Sequence, residues 1–207
     1  MNLPGNARMI ENDLAAMNDQ IIFTLVSTPT EVLQILELQA RNLPASLSAE
    51  TMASDGFVTV HHDSAVLQRM NVTTPSVIAK DGDAVVGYAL VMPREFSADV
   101  PILQPMFALL DDLTWNGARL GDNPRWFVMG QVAVAEGYRG RGVFDGMYSA
   151  MKESYGARYD FTVTEVAERN ARSLRAHERV GFQTLHTYPD DTTGEVWRVI
   201  ALDLRTR

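Results

Sequence analysis

One stretch of the sequence, residues 126–155, constrains the fold more than any other. It begins with a mostly apolar run of buried-strand length, from Trp126 to Val134. Three glycines follow close together: Gly137, Gly140 and Gly142. Apolar residues then recur at a spacing of four, which is helical periodicity, at Val143, Met147, Met151 and Tyr155. The stretch therefore predicts a strand, a glycine-rich turn and an amphipathic helix.

A glycine-rich turn that opens a helix is suited to binding an anion. Backbone N–H groups converge at such a turn, and the helix dipole adds attraction for negative charge. Glycine is needed there because a side chain would block the approach to the backbone, and because some positions require positive φ. We therefore predict that the turn holds phosphate, the alternative being an ordinary strand–turn–helix connection.

The residues of the turn exclude two common phosphate loops. It lacks the Gly-Lys-Ser/Thr of the nucleoside triphosphate loop, and Asp145 stands where Gly-x-Gly-x-x-Gly requires its last glycine. The segment 139–144, Arg-Gly-Arg-Gly-Val-Phe, instead resembles the acetyl-coenzyme A (acetyl-CoA) loop of the GNAT N-acetyltransferase superfamily, Gln/Arg-x-x-Gly-x-Gly/Ala. Arg139 and Gly142 match this pattern, whereas Phe144 replaces its last small residue.

A second motif strengthens the resemblance. Residues 170–182 resemble the family's later motif, Asn-x-x-Ala-Ile-x-x-Tyr-x-Lys-x-Gly-Phe, in register throughout. The family's Asn, aliphatic, Tyr, Gly and Phe positions are occupied by Asn170, Leu174, His177, Gly181 and Phe182. Two motifs in the right order are more specific than either alone, so the chain is identified as a member of the superfamily.

This resemblance implies the fold class and the domain organisation. It implies a GNAT-like α/β (α+β) acyl-CoA N-acyltransferase fold, with a central mixed, mostly antiparallel sheet and helices on both faces. We expect one domain over residues 1–207, with an N-terminal arm at 1–20 and an acetyl-CoA-binding core at 126–188. Residues 92–125 look like an insertion that carries an apolar helix ended by Trp115-Asn116-Gly117. That helix either packs on the sheet edge or forms a lid or dimer face.

Other segments have recognisable local patterns. We predict a strand at 21–26, a helix from Thr28 to about Asn42, a hairpin at 76–91 and strands at 159–166, 183–188 and 195–204. A short helix near Leu47 and a strand at 57–60 are also expected. His61-His62-Asp63 suggests a metal site, but adjacent residues diverge on a helix or strand and no other His or Cys lies nearby. Asp63 or Ser64 is better interpreted as a helix N-cap.

Composition narrows the classes of function. The absence of cysteine excludes a disulfide framework, a thiolate metal site and an acyl-cysteine intermediate. The net charge of −8 disfavours nucleic-acid binding, and no apolar run approaches the about 18 residues of a membrane span. No signal-peptide pattern opens the chain, so we expect a cytoplasmic location. Residues 137–182 carry a net charge of +2 within this acidic chain, which suits an anionic cofactor.

The resemblance also implies which residues bind the cofactor. Main-chain groups of the cofactor strand, splayed from its neighbour, would hold the pantetheine arm and polarise the thioester. Backbone amides of the turn would hold the pyrophosphate, and a residue of the following motif would contact the cofactor arm. The residues concerned are Val132, Ala133, Val134, Arg139, Gly140, Arg141, Gly142, Val143, Phe144 and Asn170.

Acetyl transfer also needs proton chemistry. The attacking amine must lose a proton, and the leaving thiolate benefits from an acid. His177 stands at the family's Tyr position and is the candidate acid, although an imidazole titrates near 6.5. Its alternative is a packing role. Glu165 is the candidate base, with Glu168 or a water wire as alternatives, and Gln131 would orient a water or bind substrate.

Two hypotheses follow from the sequence. The first is an acetyl-CoA-dependent N-acetyltransferase that acts by direct transfer in a ternary complex on a primary amine of a small molecule or protein. The second is a non-catalytic acyl-CoA-binding module that senses the cofactor. Both a monomer and a homodimer are compatible with the pattern, and a longer acyl group would differ only in pocket depth.

Overall fold

The computed structural model describes residues 21–43, 62–191 and 193–205. The strands are β1 (Ile22–Leu25), β2 (Val77–Asp81), β3 (Ala84–Met92), β4 (Thr114–Trp115), β5 (Ala118–Arg119), β6 (Trp126–Val134), β7 (Phe161–Ala167), β8 (Gln183–Pro189) and β9 (Val196–Asp203). The α-helices are α1 (Pro29–Arg41), α2 (Ser64–Thr73), α3 (Gln104–Asp112), α4 (Val143–Tyr155) and α5 (Ala171–Val180). The predicted arm, the helix near Leu47 and the strand at 57–60 lie outside the described residues.

The main sheet has the strand order β1-β2-β3-β6-β7-β9-β8. Only the β6–β7 pair is parallel, and every other neighbouring pair in this sheet is antiparallel. The strand at the centre of this order is β6, the one that the glycine turn follows. The mixed, mostly antiparallel sheet that the sequence predicted is therefore confirmed.

Helices cover both faces of this sheet. On the first face, α1, α2 and α3 pack over a core that includes Ile35, Leu67 and Leu110. On the second face, α4 and α5 bury Met147 and Leu174. Strand β3 serves both layers because side chains alternate along a strand: its residues from Tyr88 to Met92 contribute in turn to one core and then the other. Among the described helices, none combines the length and the apolar character needed to cross a membrane.

Local sequence signals explain how the first helix is placed. The Thr28 hydroxyl accepts from the Glu31 N–H, and Glu31 in turn accepts from the Thr28 N–H at 3.0 Å, which is a capping box. Burial alone would raise the pKa of Glu31, but hydrogen bonds from Lys80 and from the Ser27 and Thr28 amides outweigh it and lower the pKa to about 2. The charged Glu31 thus links the start of α1 to β2.

Residues 92–125 depart from the sequence prediction in one detail. The helix α3 ends at Asp112, before Trp115-Asn116-Gly117, and these residues belong to the β4–β5 hairpin instead. Asn116 and Gly117 have φ of 49° and 82°, as a type I′ turn requires, so this Asn-Gly pair is a hairpin signal and not a helix stop. The Trp126 indole N–H donates to the Leu120 carbonyl at 2.9 Å, which holds the segment against the start of β6.

Candidate functional site

The parallel strands β6 and β7 separate partway along their length. They pair only from Trp126 opposite Phe161 to Val128 opposite Val163, although β6 continues to Val134 and β7 to Ala167. Near the same point β6 carries one extra residue relative to β3, a bulge between the pairs Val91–Met129 and Ala89–Val132. The sheet is therefore open between β6 and β7, as the resemblance implied, and this opening is called the splay below.

Backbone groups of β6 face the splay. The Ala135 N–H donates to the Val86 carbonyl on β3 at 2.8 Å. Because hydrogen-bonding direction alternates along an antiparallel strand, Ala133 also faces β3, whereas the N–H and C=O groups of Val132 and Val134 face away from it. The Val134 carbonyl accepts from the Arg139 Nε at 3.1 Å. The main-chain groups of Val132 and the Val134 N–H are thus directed into the opening.

The glycine turn enters α4 with its backbone exposed. Gly140 and Gly142 have φ of 74° and 77°, and a Cβ at either would meet no protein atom within 4 Å. Gly142 is the N-cap of α4 and has no side chain with which to cap the first amides of the helix. The first backbone hydrogen bond of the helix runs from the Gly146 N–H to the Gly142 carbonyl, so the amides of residues 143–145 have no acceptor within the helix.

A cavity of about 470 Å³ extends from this turn along β6 to α5. Of the residues predicted to bind the cofactor, those that line it are Val132, Ala133, Val134, Arg139, Gly140, Gly142, Val143, Phe144 and Asn170. Arg141 is not among the lining residues, and its guanidinium lies over the Tyr138 ring at 5.2 Å from the centroid.

The cavity wall also contains cations that the sequence analysis missed. Arg172, Arg175 and Arg179 of α5 line it together with Arg139, and among the described residues that line it Asp145 is the only carboxylate. Arg179 forms an ion pair with Asp145 at 2.7 Å. The spacing of three and four residues along α5 places these arginines on one side of the helix, and this signal was present in the sequence. The wall is electropositive and suits an anionic ligand.

A second, smaller cavity of about 70 Å³ lies in the splay and contains Glu165. The Glu165 Oε1 atom accepts a hydrogen bond from the Tyr188 hydroxyl at 2.8 Å. Burial raises the pKa of Glu165 to about 7, although the Tyr188 hydrogen bond opposes this shift. The alternative base, Glu168, lines neither cavity and is paired with Arg198 at 2.6 Å. Of these two carboxylates, the geometry favours Glu165 as the proton acceptor.

Gln131 belongs to a buried network on the α1 face of the sheet. Its Oε1 atom accepts from the Tyr88 hydroxyl at 2.6 Å and from the Gln39 Nε2 at 2.5 Å. The Gln39 Nε2 also lies 3.0 Å from the His62 Nδ1. The sequence suggested that Gln131 orients a water or binds substrate, whereas its side-chain oxygen accepts from two protein donors. Among the described residues, no group of three or more His, Cys, Asp or Glu could hold a metal.

His177 has an environment that the sequence did not predict. Its ring is buried against Phe144, Tyr148 and Phe182. The His177 Nδ1 lies 2.8 Å from the Ser173 carbonyl oxygen, which can only accept, so Nδ1 carries the hydrogen. Burial lowers the pKa of His177 to about 4, and the neutral Nε2 accepts from the Tyr148 hydroxyl at 3.0 Å. Burial thus favours the neutral ring, and both ring nitrogens already have protein partners, which argues against the predicted general-acid role.

The two cavities are contiguous. Val132, Asn170 and Ser173 line both of them. The Asn170 side chain caps α5 by accepting from the Ser173 N–H at 3.3 Å. A ligand that extends from the electropositive cavity toward the splay must therefore pass between β6 and the first turn of α5.

Comparisons with known proteins agree with this architecture. A family model described as the acetyltransferase (GNAT) family matches residues 34–182. Among solved structures, yncA of Salmonella typhimurium, determined with its cofactor acetyl-CoA, has 15% identity and a TM-score of 0.56, covering 90% of this chain and 95% of that chain. A GNAT-family acetyltransferase from Streptococcus agalactiae has 17% identity and a TM-score of 0.58, covering 89% and 96%.

An N-acetyltransferase from Staphylococcus aureus gives a similar result, with 13% identity, a TM-score of 0.57 and coverage of 90% of this chain and 99% of that chain. At these identities the structural likeness shows the fold alone. No protein of curated function matches the chain in sequence. The family assignment therefore depends on the family model, which spans well over half of the chain.

Proposed function

The chain belongs to the acetyltransferase (GNAT) family, whose acyl donor is acetyl-CoA, and we propose that it acetylates a primary amine by direct transfer in a ternary complex. The acceptor amine belongs to a small molecule or to a protein. The observation that carries this proposal is the junction of two cavities at the splay: one is electropositive and lined by exposed glycine backbone, and the other contains a carboxylate with a raised pKa.

The residues of the larger cavity fit the donor. The open backbone at Gly140 and Gly142 and the unpaired amides at the start of α4 suit a pyrophosphate, and the arginines of α5 supply positive charge. The Val132 main chain and the Val134 N–H would bind the pantetheine arm, with Asn170 beside it. Acetyl-CoA supplies a thioester whose carbonyl carbon is electrophilic.

Glu165 is proposed as the group that accepts the proton of the amine. A base whose pKa is near the working pH is available as a carboxylate and still binds the proton well. Burial gives Glu165 this property, since it raises the pKa to about 7. Its position in the splay puts it beside the β6 main chain that is expected to bind the thioester. The amine proton would pass to Glu165 directly or through one water.

The first test is coenzyme A release from acetyl-CoA by the purified protein, with a panel of polyamines, aminoglycosides, amino acids and peptide N-termini. We expect turnover with at least one class, and a fall of about 100-fold or more in kcat/KM for Glu165→Gln. Glu168→Gln is the matched control, because this carboxylate lies outside both cavities. Acetyl-CoA binding measured in parallel separates the alternatives: binding without turnover on any amine would favour the sensor hypothesis, and absence of binding would overturn the proposal.

A further inference from the structure

Ser173 occupies the junction between the two cavities. Of the three residues that line both, Val132 has an apolar side chain and offers only main-chain groups, and the Asn170 side-chain Oδ1 accepts from the Ser173 N–H to cap α5. Ser173 contributes a hydroxyl group at this place, in the first turn of α5. If the pantetheine arm follows the larger cavity to the splay, its terminal thioester reaches the level of Ser173.

The hydrogen bonds of Ser173 leave its own proton unused. The His177 Nδ1–H donates to the Ser173 carbonyl oxygen at 2.8 Å and lies 3.2 Å from the Ser173 Oγ. Because Nδ1 carries the hydrogen, the Oγ atom is the acceptor in the second contact. Within the part of the chain that the structure describes, the Ser173 hydroxyl has no acceptor for its own hydrogen.

The neighbouring His177 imidazole has no hydrogen left to donate to a ligand. Its Nδ1–H is engaged with Ser173, and its Nε2 lone pair accepts from the Tyr148 hydroxyl. The sequence motif has Ala at position 173 and Tyr at position 177, and this chain has Ser and His there. The two substitutions are four residues apart, on one side of α5, so they are neighbours in space.

We propose that the Ser173 hydroxyl donates a hydrogen bond to the thioester sulfur as the thiolate departs, with the His177 N–H holding the hydroxyl oxygen in place. This inference rests on the acetyl transfer proposed above. A hydroxyl is neutral throughout the physiological pH range and needs no change of charge to donate. It would stabilise the negative charge that develops on sulfur at the junction of the cavities.

The proton and electron balance of the step closes without a further reactant. The bond between the amine nitrogen and the acetyl carbon forms, the carbon–sulfur bond breaks, and sulfur leaves with the bonding electron pair. The amine proton passes to Glu165 and from there to solvent. Ser173 keeps its proton, and the coenzyme A thiolate is protonated by solvent after the step.

The experiment compares Ser173→Ala and Ser173→Thr with the unchanged protein. Two quantities are measured: kcat and KM for acetyl-CoA with the best amine, and the thiol pKa of bound coenzyme A from the ultraviolet absorbance of the thiolate. We expect Ser173→Ala to lower kcat by about 10- to 100-fold, with a much smaller change in KM, since a hydrogen bond to a charged group is lost. The same loss raises the thiol pKa of bound coenzyme A, and Ser173→Thr restores both quantities in large part.

Ser149→Ala is the matched control. Ser149 is an exposed α4 serine whose hydroxyl donates to the Asp145 carbonyl at 3.1 Å, and it lines neither cavity. An unchanged kcat together with an unchanged thiol pKa in Ser173→Ala would overturn the Ser173 assignment. Coenzyme A binding without acetylation of any amine would overturn the proposed function alone, since the thiol pKa still tests Ser173. Failure to bind coenzyme A would overturn both.

Discussion

The Tyr188 hydroxyl donates to the Glu165 carboxylate at 2.8 Å, although the two residues lie on strands that are not neighbours. Strand β9 separates β8 from β7, so the Tyr188 side chain reaches over β9 to the edge of the splay. Burial raises the pKa of Glu165 to about 7, and this hydrogen bond works in the opposite direction. The pair therefore sets the pH at which the proposed base is charged.

The pH dependence of turnover should report the charge of Glu165. Because the base acts as a carboxylate, kcat/KM is expected to rise with pH through an apparent pKa near 7. Glu165→Gln should remove this rise of kcat/KM with pH. Tyr188→Phe should move the rise to higher pH, because the lost hydrogen bond had lowered the pKa of Glu165. Steady-state rates between pH 5.5 and 9 give this apparent pKa. An apparent pKa that Tyr188→Phe leaves unchanged would contradict the coupling between the two residues.

The same carboxyl group should make stability depend on pH. The pKa of Glu165 is about 7 in the folded protein against an ordinary value of 4.5, so its contribution to stability is fully present below pH 4.5 and is lost as pH rises through 7. We expect the free energy of unfolding of Glu165→Gln to match that of the unchanged protein at pH 4 and to exceed it at pH 8 by up to about 3 kcal/mol. Urea unfolding at both pH values measures this free energy. The exposed Glu168→Gln change is the control for the loss of one carboxylate.

Substitutions at two glycines can distinguish the cost of backbone strain from the loss of a ligand contact. Gly142 lines the larger cavity with φ of 77°, and Gly82 turns the β2–β3 hairpin with φ of 58°. An alanine Cβ at either meets no protein atom within 4 Å, so each change to Ala should cost about 1–2 kcal/mol of stability through positive φ alone. Only Gly142→Ala should weaken acetyl-CoA binding, by about tenfold or more, measured by calorimetry. Equal affinities in the two variants would contradict a backbone contact at Gly142.

A packing contact joins α4 to the edge strand β1. A Cβ added at Gly146 would overlap the end of the Phe23 ring. Gly146→Ala should therefore destabilise the protein by about 1–3 kcal/mol, despite the better helix propensity of alanine. In a Phe23→Leu background the cost should largely disappear, as a double-mutant cycle of unfolding free energies would show. Additive effects of the two changes would mean that the ring and the helix do not meet.

Local patterns of the sequence determined much of this fold. Apolar spacing of four residues predicted α4, and two residues of the second motif, Asn170 and Gly181, are the N-cap and the C-cap of α5. The glycine turn and the second motif led to the family, because each depends on residues that are close along the chain. The wrong prediction that a helix ends at Trp115-Asn116-Gly117 also came from a local pattern, since an Asn-Gly pair is found both at helix ends and in hairpins.

The chemistry of the site was decided by residues that are distant in sequence. Register placed His177 at the motif's Tyr position, but it is burial against Phe144, Tyr148 and Phe182 that lowers the pKa of the ring to about 4. A pKa depends on burial and on partners, and neither is encoded by the spacing within one helix.

The sequence by itself thus determined most of the described elements, the glycine turn before α4 and the family. The tertiary structure decided where β6 leaves β7, which carboxylate faces that opening and which hydroxyl stands at the junction of the two cavities. The physical reason is that periodicity and turn propensity act over a few residues. The environment of Glu165 and Ser173 depends on strands and helices that only the folded chain brings together.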